Sequence, residues 1–404
     1  MHHTTCLVAL KRITQQPSSG SRGELTLGTI RFLLALSVVA AHVAPVPFTI
    51  ELGSVLAVQG FYIISGFLIA LVWINKYQRQ PNGLFLFYSN RAARIYILYW
   101  VILVGSIVIA QIIKTTTHNY PGYFGSQPHG ILLYKIFVNA FIFSSSWAYW
   151  LGFDEATGFY VTLDYTTSPY PVWGVMSLAP AWTLDLELTF YLLAPFLVNL
   201  RLRYLIGIIV ASFIARFAVY AMGYDSDPWN YRFFPFEIGL FLTGVVAYRI
   251  SSALAWKPNW AILLAIYAAL VGSVLYYTRL GFSHGSHASF IYLFLFAAAI
   301  PYVFQLTKSW KIDRFLADMS FPLYLAHWPV SGIWFYFRDY LHLAPPWPEY
   351  RGLFPSIASV ITAALLVIFV ERPVEKWRQS RVAPQKGGTP DAAVVSATPE
   401  LMAP

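Results

Sequence analysis

Ten stretches of the chain are apolar enough to cross a bilayer as helices, each spanning close to the roughly 20 residues a crossing requires. They cover 27–44, 54–74, 95–113, 181–199, 203–221, 234–250, 259–277, 289–305, 319–337 and 354–371. Several contain Pro, Ser or Thr, yet none shows the strict alternation of a barrel strand. The pattern therefore predicts an all-α membrane protein of about ten transmembrane helices. No internal repeat of fixed period is visible. The first 26 residues are polar, and their apolar run, Cys6 to Leu10, is too short for a secretory signal, which predicts a cytosolic N-terminal segment 1–26. Residues 27–378 read as one transmembrane domain, and 379–404, rich in Pro, Gly, Ala and Thr, as a disordered cytosolic tail.

Composition agrees with that pattern and closes off other classes. Of 404 residues, 57% are hydrophobic and only 11% charged, about half the charged share of a soluble domain. A two-domain soluble enzyme needs more polar surface, and a disordered chain needs denser charge. The single cysteine, Cys6, excludes an intrachain disulfide and a Cys-rich metal site.

The net charge of +9 gains meaning only when it is resolved by side. With ten spans and the N-terminus inside, 20 of the 27 basic residues fall on the cytosolic face. Outside lie Lys114, Lys135, Arg232, Arg279, Arg338 and Arg351, and Arg216 stays within a span. This is the bias of the positive-inside rule, and it places both termini in the cytosol. Basic residues interleaved with spans also argue against a nucleic-acid partner; the surrounding partner is membrane lipid. Gly130–Trp150 is apolar enough for an eleventh span, but counting it would invert the downstream topology. It is therefore expected to be a re-entrant or interfacial helix near 130–150, within an outer segment 114–180 rich in Tyr, Pro, Trp and Gly.

Ionisable groups at bilayer depth cost several kcal/mol (about 2.5–3.5 on insertion scales) unless paired or lining a cavity, so the few present stand out. Arg31 and His42 lie on the first span. Eleven steps of about 100° bring them within about 20° of the same face, about 16 Å apart along the axis. Glu187, on the fourth span, sits about 7.5 Å deeper than Trp182, in the depth range of His42. It can orient a histidine base or pair structurally with Arg216. Asp185 is expected nearer the surface and solvated. Gly60, Ser65 and Gly66 on the second span allow a helix or an extended ligand to approach closely. Arg91 and Arg94, at i, i+3 before the third span, can grip phosphates or serve as topology anchors. His327 reads as a core hydrogen-bonder, and His284 with His287 is a weak metal signal without an acidic partner.

Taken together, these segments resemble the acyltransferase-3 family of bacterial membrane O-acyltransferases. The resemblance rests on Arg31-x10-His42, Ser65-Gly-Phe-Leu-Ile69, Arg91-x-x-Arg94, Trp182-Thr-Leu-x-x-Glu187-x-x-Phe-Tyr191, Ser320-x-x-Leu-Tyr-Leu-x-His-Trp-Pro329 and Glu371-Arg-Pro373, in order over about 25–378. It implies an enzyme of the inner (plasma) membrane that passes an acyl group, usually acetyl, from cytosolic acetyl-CoA to a hydroxyl of an extracytoplasmic carbohydrate or glycolipid. It also implies that Arg31 and His42 form the essential first-span pair. Arg91 and Arg94 become the residues contacting coenzyme A, Ser65 a donor-binding residue and Glu187 the fourth-span glutamate; no metal is implied.

Two departures are evident. The family's Leu-Asp-Gly-Leu-Arg entry reads Leu27-Gly-Thr-Ile-Arg31, which removes an acidic partner for Arg31, and Gln59 stands where an acid is common. In the implied reaction His42, steadied by Glu187, either deprotonates the acceptor hydroxyl or carries the acetyl as an acyl-imidazole. The rival class is a transporter or flippase for a lipid-linked sugar, against which stands the lack of a repeat between chain halves. Outer aromatic residues such as Trp147, Tyr149, Trp150, Trp173 and Trp229 suit sugar faces as well as a membrane belt.

Overall fold

The computed structural model describes residues 26–43, 45–112, 128–170, 172–254, 258–285, 288–342 and 348–381. Residues 1–25, the tail from 382 and His287 lie outside the described residues. Each of the ten apolar stretches falls on a helix: α1 Gly28–Val43, α2 Gly53–Val72, α3 Gly83–Ile112, then, after the short α4 His129–Phe141, α5 Trp182–Leu197, α6 Leu202–Ala221, α7 Phe234–Ala253, α8 Trp260–Leu275, α9 Ala288–Thr307, α10 Lys311–Tyr340 and α11 Leu353–Leu366. α2 runs on through a π turn, Trp73–Tyr77, and α11 through Val367–Glu371 into α12, Arg372–Ser380.

Six helical runs among the described residues are long and apolar enough to span a membrane: 53–77, 83–112, 202–221, 234–253, 288–307 and 348–380. Helices α1, α5 and α8 have 16 residues each, which is about 24 Å against a hydrocarbon core of about 30 Å. α10 has the length but, with its polar motif, not the apolarity. The outward faces suit a lipid environment. Ile206, Val210 and Ile214 on α6, and Ile357, Ile361 and Leu365 on α11, are exposed at four-residue spacing, a stripe that water would not tolerate but acyl chains match. The protein is a multi-pass, all-α membrane protein, and its only sheet among the described residues is one hairpin.

α2 is the most enclosed of the six runs and packs against α7, α1 and α9. Its small residues explain the closest approach. A Cβ on Gly66 would stand 1.8 Å from the Phe241 carbonyl oxygen, and one on Gly244 of α7 would stand 1.9 Å from that of Ile63. The backbones of α2 and α7 therefore touch, leaving the adjacent Ser65 to face elsewhere.

α1 and α10 run parallel and are tied at both ends with the same offset of 285 residues. At the start, the buried Asp313 carboxylate accepts the backbone N–H groups of Gly28 (2.8 Å) and Thr29 (2.7 Å) and the Thr29 hydroxyl (2.7 Å). A carboxylate there satisfies orphan donors and meets the positive end of the helix dipole. The acid missing from the entry of the first span is thus supplied to the start of α1 by α10. At the far end His42 meets His327.

The apolar stretch 130–150 does not form one helix. α4 occupies 13 residues, about 20 Å, and is ended by Ile142 and Ser144 at φ +67° and +68°. A 3-10 turn, Ser146–Trp150, leads into the hairpin of β1 Leu151–Asp154 and β2 Gly158–Val161, with Leu151 opposite Val161 and Asp154 opposite Gly158. Asp185 of α5 docks this segment on the bundle, accepting from Ser146 N (2.9 Å) and Oγ (2.6 Å), and Asn139 ties the segment together through the Val175 carbonyl and Ser177 N–H at 2.8 Å each. Asp185 is 3% exposed, so the expectation of a solvated carboxylate is corrected: it holds the outer segment to the helix that carries Glu187.

Gly66→Ala is expected to force α2 and α7 apart and to destabilise the protein by about 1–3 kcal/mol or more, because the clash is with backbone. Gly105→Ala, where nothing lies within 4 Å, serves as the neutral control. The thermal unfolding midpoint of the detergent-purified variants checks both.

Candidate active site

Five of the six residues singled out from the sequence line one cavity of about 840 Å³, its open mouth included. Arg31 comes from α1, Ser65 from α2, Arg91 and Arg94 from α3, and Glu187 from α5; Tyr191 of α5 and Ser320 and Tyr324 of α10 complete its polar lining. The convergence follows from local geometry. Arg91 and Arg94 share a helix face at i, i+3, and Glu187 and Tyr191 share one at i, i+4.

Glu187 accepts the Ser65 hydroxyl at 2.6 Å and also the Tyr191 hydroxyl. It supplies opposite charge to Arg31, while Arg94 adds like charge. Three guanidiniums and one carboxylate thus line the cavity, and Asp318, Glu371 and Glu375 add opposite charge close to Arg31, Arg91 and Arg94. The Nε of Arg91 and the hydroxyl of Tyr62, both on residues that line the cavity, are buried with no hydrogen-bond partner among the described residues.

His42 is not on that wall. It lies at the last turn of α1, an exposed side chain whose Nδ1 is 2.9 Å from the Val38 carbonyl and 3.2 Å from Nε2 of the fully buried His327. The two rings stack at 5.2 Å, with Trp328 edge-on to His42 at 5.5 Å. The geometry differs from the expected contact between Glu187 and His42: Glu187 is engaged in the cavity, and the group on His42 is a second histidine. Along α10 the cavity lining ends at Tyr324, one turn before His327. The Tyr324 hydroxyl lies 2.8 Å from Thr183 Oγ1 and donates to the Pro180 carbonyl at 3.3 Å.

The possible pairing of Glu187 with Arg216 is also answered. Arg216 bonds Glu237 at 2.7 Å, both fully buried, and donates to the Asn230 and Phe236 carbonyls. Gln59, in the place where an acid is common, points its amide at Glu237 (3.4 Å). His284 bonds the Leu52 carbonyl at 3.1 Å, and among the described residues no three His, Cys, Asp or Glu side chains gather as a metal site.

Beyond Trp182 lies a feature that sequence reasoning missed. Arg232 is held by Asp227 at 2.5 and 2.9 Å and enclosed by the rings of Tyr149, Trp182 and Tyr231, 4.0–4.5 Å from its guanidinium carbon. Burial opposes its charge, but Tyr149, Tyr231 and Asp227 outweigh that and raise its pKa above the ordinary arginine value. No spacing links Arg232 to Tyr149 or Trp182; only the fold does.

A family model described as an acyltransferase domain matches residues 26–370. The chain belongs to the acyltransferase-3 family. Nodulation protein 10 of Rhizobium leguminosarum bv. viciae is 26% identical over 80% of this chain and 83% of its own. An uncharacterised protein of Aquifex aeolicus strain VF5 is 25% identical over 54% of this chain and 95% of its own. No solved structure matches. As a member of the acyltransferase-3 family with multiple apolar helices, the protein is a membrane acyltransferase, with an acyl donor and an acceptor as its substrates.

Arg216→Met is expected to cost about 3–5 kcal/mol by leaving Glu237 buried and unpaired, and Glu237→Leu in the same chain should recover much of the loss. Thermal unfolding of the single and double variants provides the check.

Proposed function

We propose that the protein transfers an acyl group, in the first instance acetyl, from cytosolic acyl-CoA to a hydroxyl of an extracytoplasmic or lipid-linked carbohydrate. In this reading it crosses the inner (plasma) membrane about ten times, with both termini in the cytosol. The observation that carries the reading is the cavity in which Arg31, Arg91, Arg94, Ser65 and Glu187 converge. Three guanidiniums lining one cavity suit an anionic ligand, since arginine offers paired N–H donors to phosphate. A donor held there by Arg91 and Arg94 directs its thioester along the α1 and α10 faces towards His42. Glu187 serves the cavity, balancing Arg31 and fixing Ser65 and Tyr191.

His42 acts as general base. As the acceptor oxygen attacks the thioester carbonyl, His42 takes the hydroxyl proton at Nε2; the C–O bond forms, the C–S bond breaks, and Nε2 returns the proton to the departing sulfur. The exposure of His42 supports an acceptor arriving from the outer side.

Membranes incubated with acetyl-labelled acetyl-CoA should incorporate label into envelope carbohydrate as alkali-labile ester, whereas a transporter would incorporate none. His42→Ala should lower that rate about 10²–10⁴-fold at equal protein level; normal turnover in this variant would sink the assignment. In a separate experiment, Arg91→Ala combined with Arg94→Ala should raise the donor KM with little change in expression. An unchanged KM would return both arginines to the role of topology anchors.

A further inference from the structure

His327, fully buried on α10, has no part in that reading, yet both of its ring nitrogens are engaged. Its Nδ1 lies 2.6 Å from the Tyr324 carbonyl oxygen. A carbonyl only accepts, so Nδ1 carries the hydrogen, and in a neutral ring Nε2 is then a bare acceptor. A second proton on Nε2 would bury a charge with no carboxylate bonded to it. Nε2 faces His42 Nδ1 at 3.2 Å, and His42 Nδ1 also faces the Val38 carbonyl at 2.9 Å. Between two acceptors, His42 Nδ1 must carry a hydrogen. Its Nε2 is therefore the bare nitrogen, and it has no hydrogen-bond partner among the described residues. The opposite arrangement would press the lone pair of His42 Nδ1 against the Val38 oxygen.

We propose that His327 is a positioning residue. Together with the Val38 carbonyl it holds His42 in the Nδ1–H tautomer with Nε2 open to the acceptor, and it takes the strengthened hydrogen bond when His42 becomes cationic. It stands where a carboxylate stands in a Ser-His-Asp triad, with a neutral acceptor in its place. The hydrogen on His42 Nδ1 stays there throughout, and only Nε2 exchanges a proton with the substrates. The proposal rests on the reading of His42 as the base.

The test uses full-length protein in membranes, with labelled acetyl-CoA as the varied substrate and alkali-labile ester as the readout. His327→Phe keeps a ring of similar size but removes the acceptor; His327→Gln returns an acceptor oxygen near the position of Nε2. The Phe variant should lower apparent kcat about 10–100-fold with an unchanged donor KM, and the Gln variant should recover most of the loss. Wild-type kcat in His327→Phe, equal impairment of both variants, or a loss matched by a rise in donor KM would each overturn the proposal. If His327→Phe does not accumulate, His327→Met against His327→Gln carries the same comparison. His42→Ala separates the two levels. Turnover in that variant removes the reading of His42 as base, whereas an inactive His42→Ala beside a normal His327→Phe removes only the role of His327.

Discussion

The parallel pairing of α1 with α10 is the constraint on which the rest of the site depends. Asp313 holds the first turn of α1, and His327 meets its last, both at an offset of 285 residues. Fourteen helical steps of α1, about 21 Å, are thereby fixed in register with α10. Neither helix can slide or turn without breaking one of the ties, so Arg31 and His42 keep a set separation along the axis. α2, α8 and α11 pack on α1, and α3 and α11 on α10, with α2 pressed on α7 at Gly66 and Gly244 and presenting Ser65 to the cavity.

The cavity is an electrostatic problem as much as a shape. In a medium of low polarity, like charges that converge raise the energy of the folded protein unless something opposes them. Arg216 meets this by pairing with Glu237 and with backbone carbonyls, and Arg232 by Asp227 and three aromatic rings. Arg31, Arg91 and Arg94 have Glu187 on the cavity wall, with Asp318, Glu371 and Glu375 adding negative charge nearby. Arg216 and Arg232 are each bonded to a carboxylate, whereas the three cavity arginines line a space that an anion can enter in the proposed function.

Much of this was legible in the sequence, because spans and single-helix faces follow from period and composition. Arg31 and His42, Arg91 and Arg94, and Glu187 and Tyr191 are each related by the turn of one helix. The pairings between helices were not legible. Asp185 two residues from Glu187 looked exposed because nothing in the sequence tells that Ser146 folds back on it. His327 looked like an ordinary buried histidine because its partner lies 285 residues away. Gln59 and the altered entry to α1 read as losses, yet Glu237 stands beside Gln59, Asp313 holds the first turn of α1, and the opposite charge on Arg31 comes from Glu187 and Asp318. The stretch 130–150 has the hydropathy of a span, but the left-handed residues Ile142 and Ser144 stop its helix after α4.

Tyr324 gives the arrangement a last consequence. A single turn of α10 separates the wall of the cavity from the two histidines, and Thr183 and the Pro180 carbonyl tie the Tyr324 hydroxyl in place. Tyr324 lines the cavity on one side, and its ring lies 6.2 Å from that of His327 on the other. On the proposed function the acyl group passes beside that ring, so one side chain divides the donor's chamber from the acceptor's.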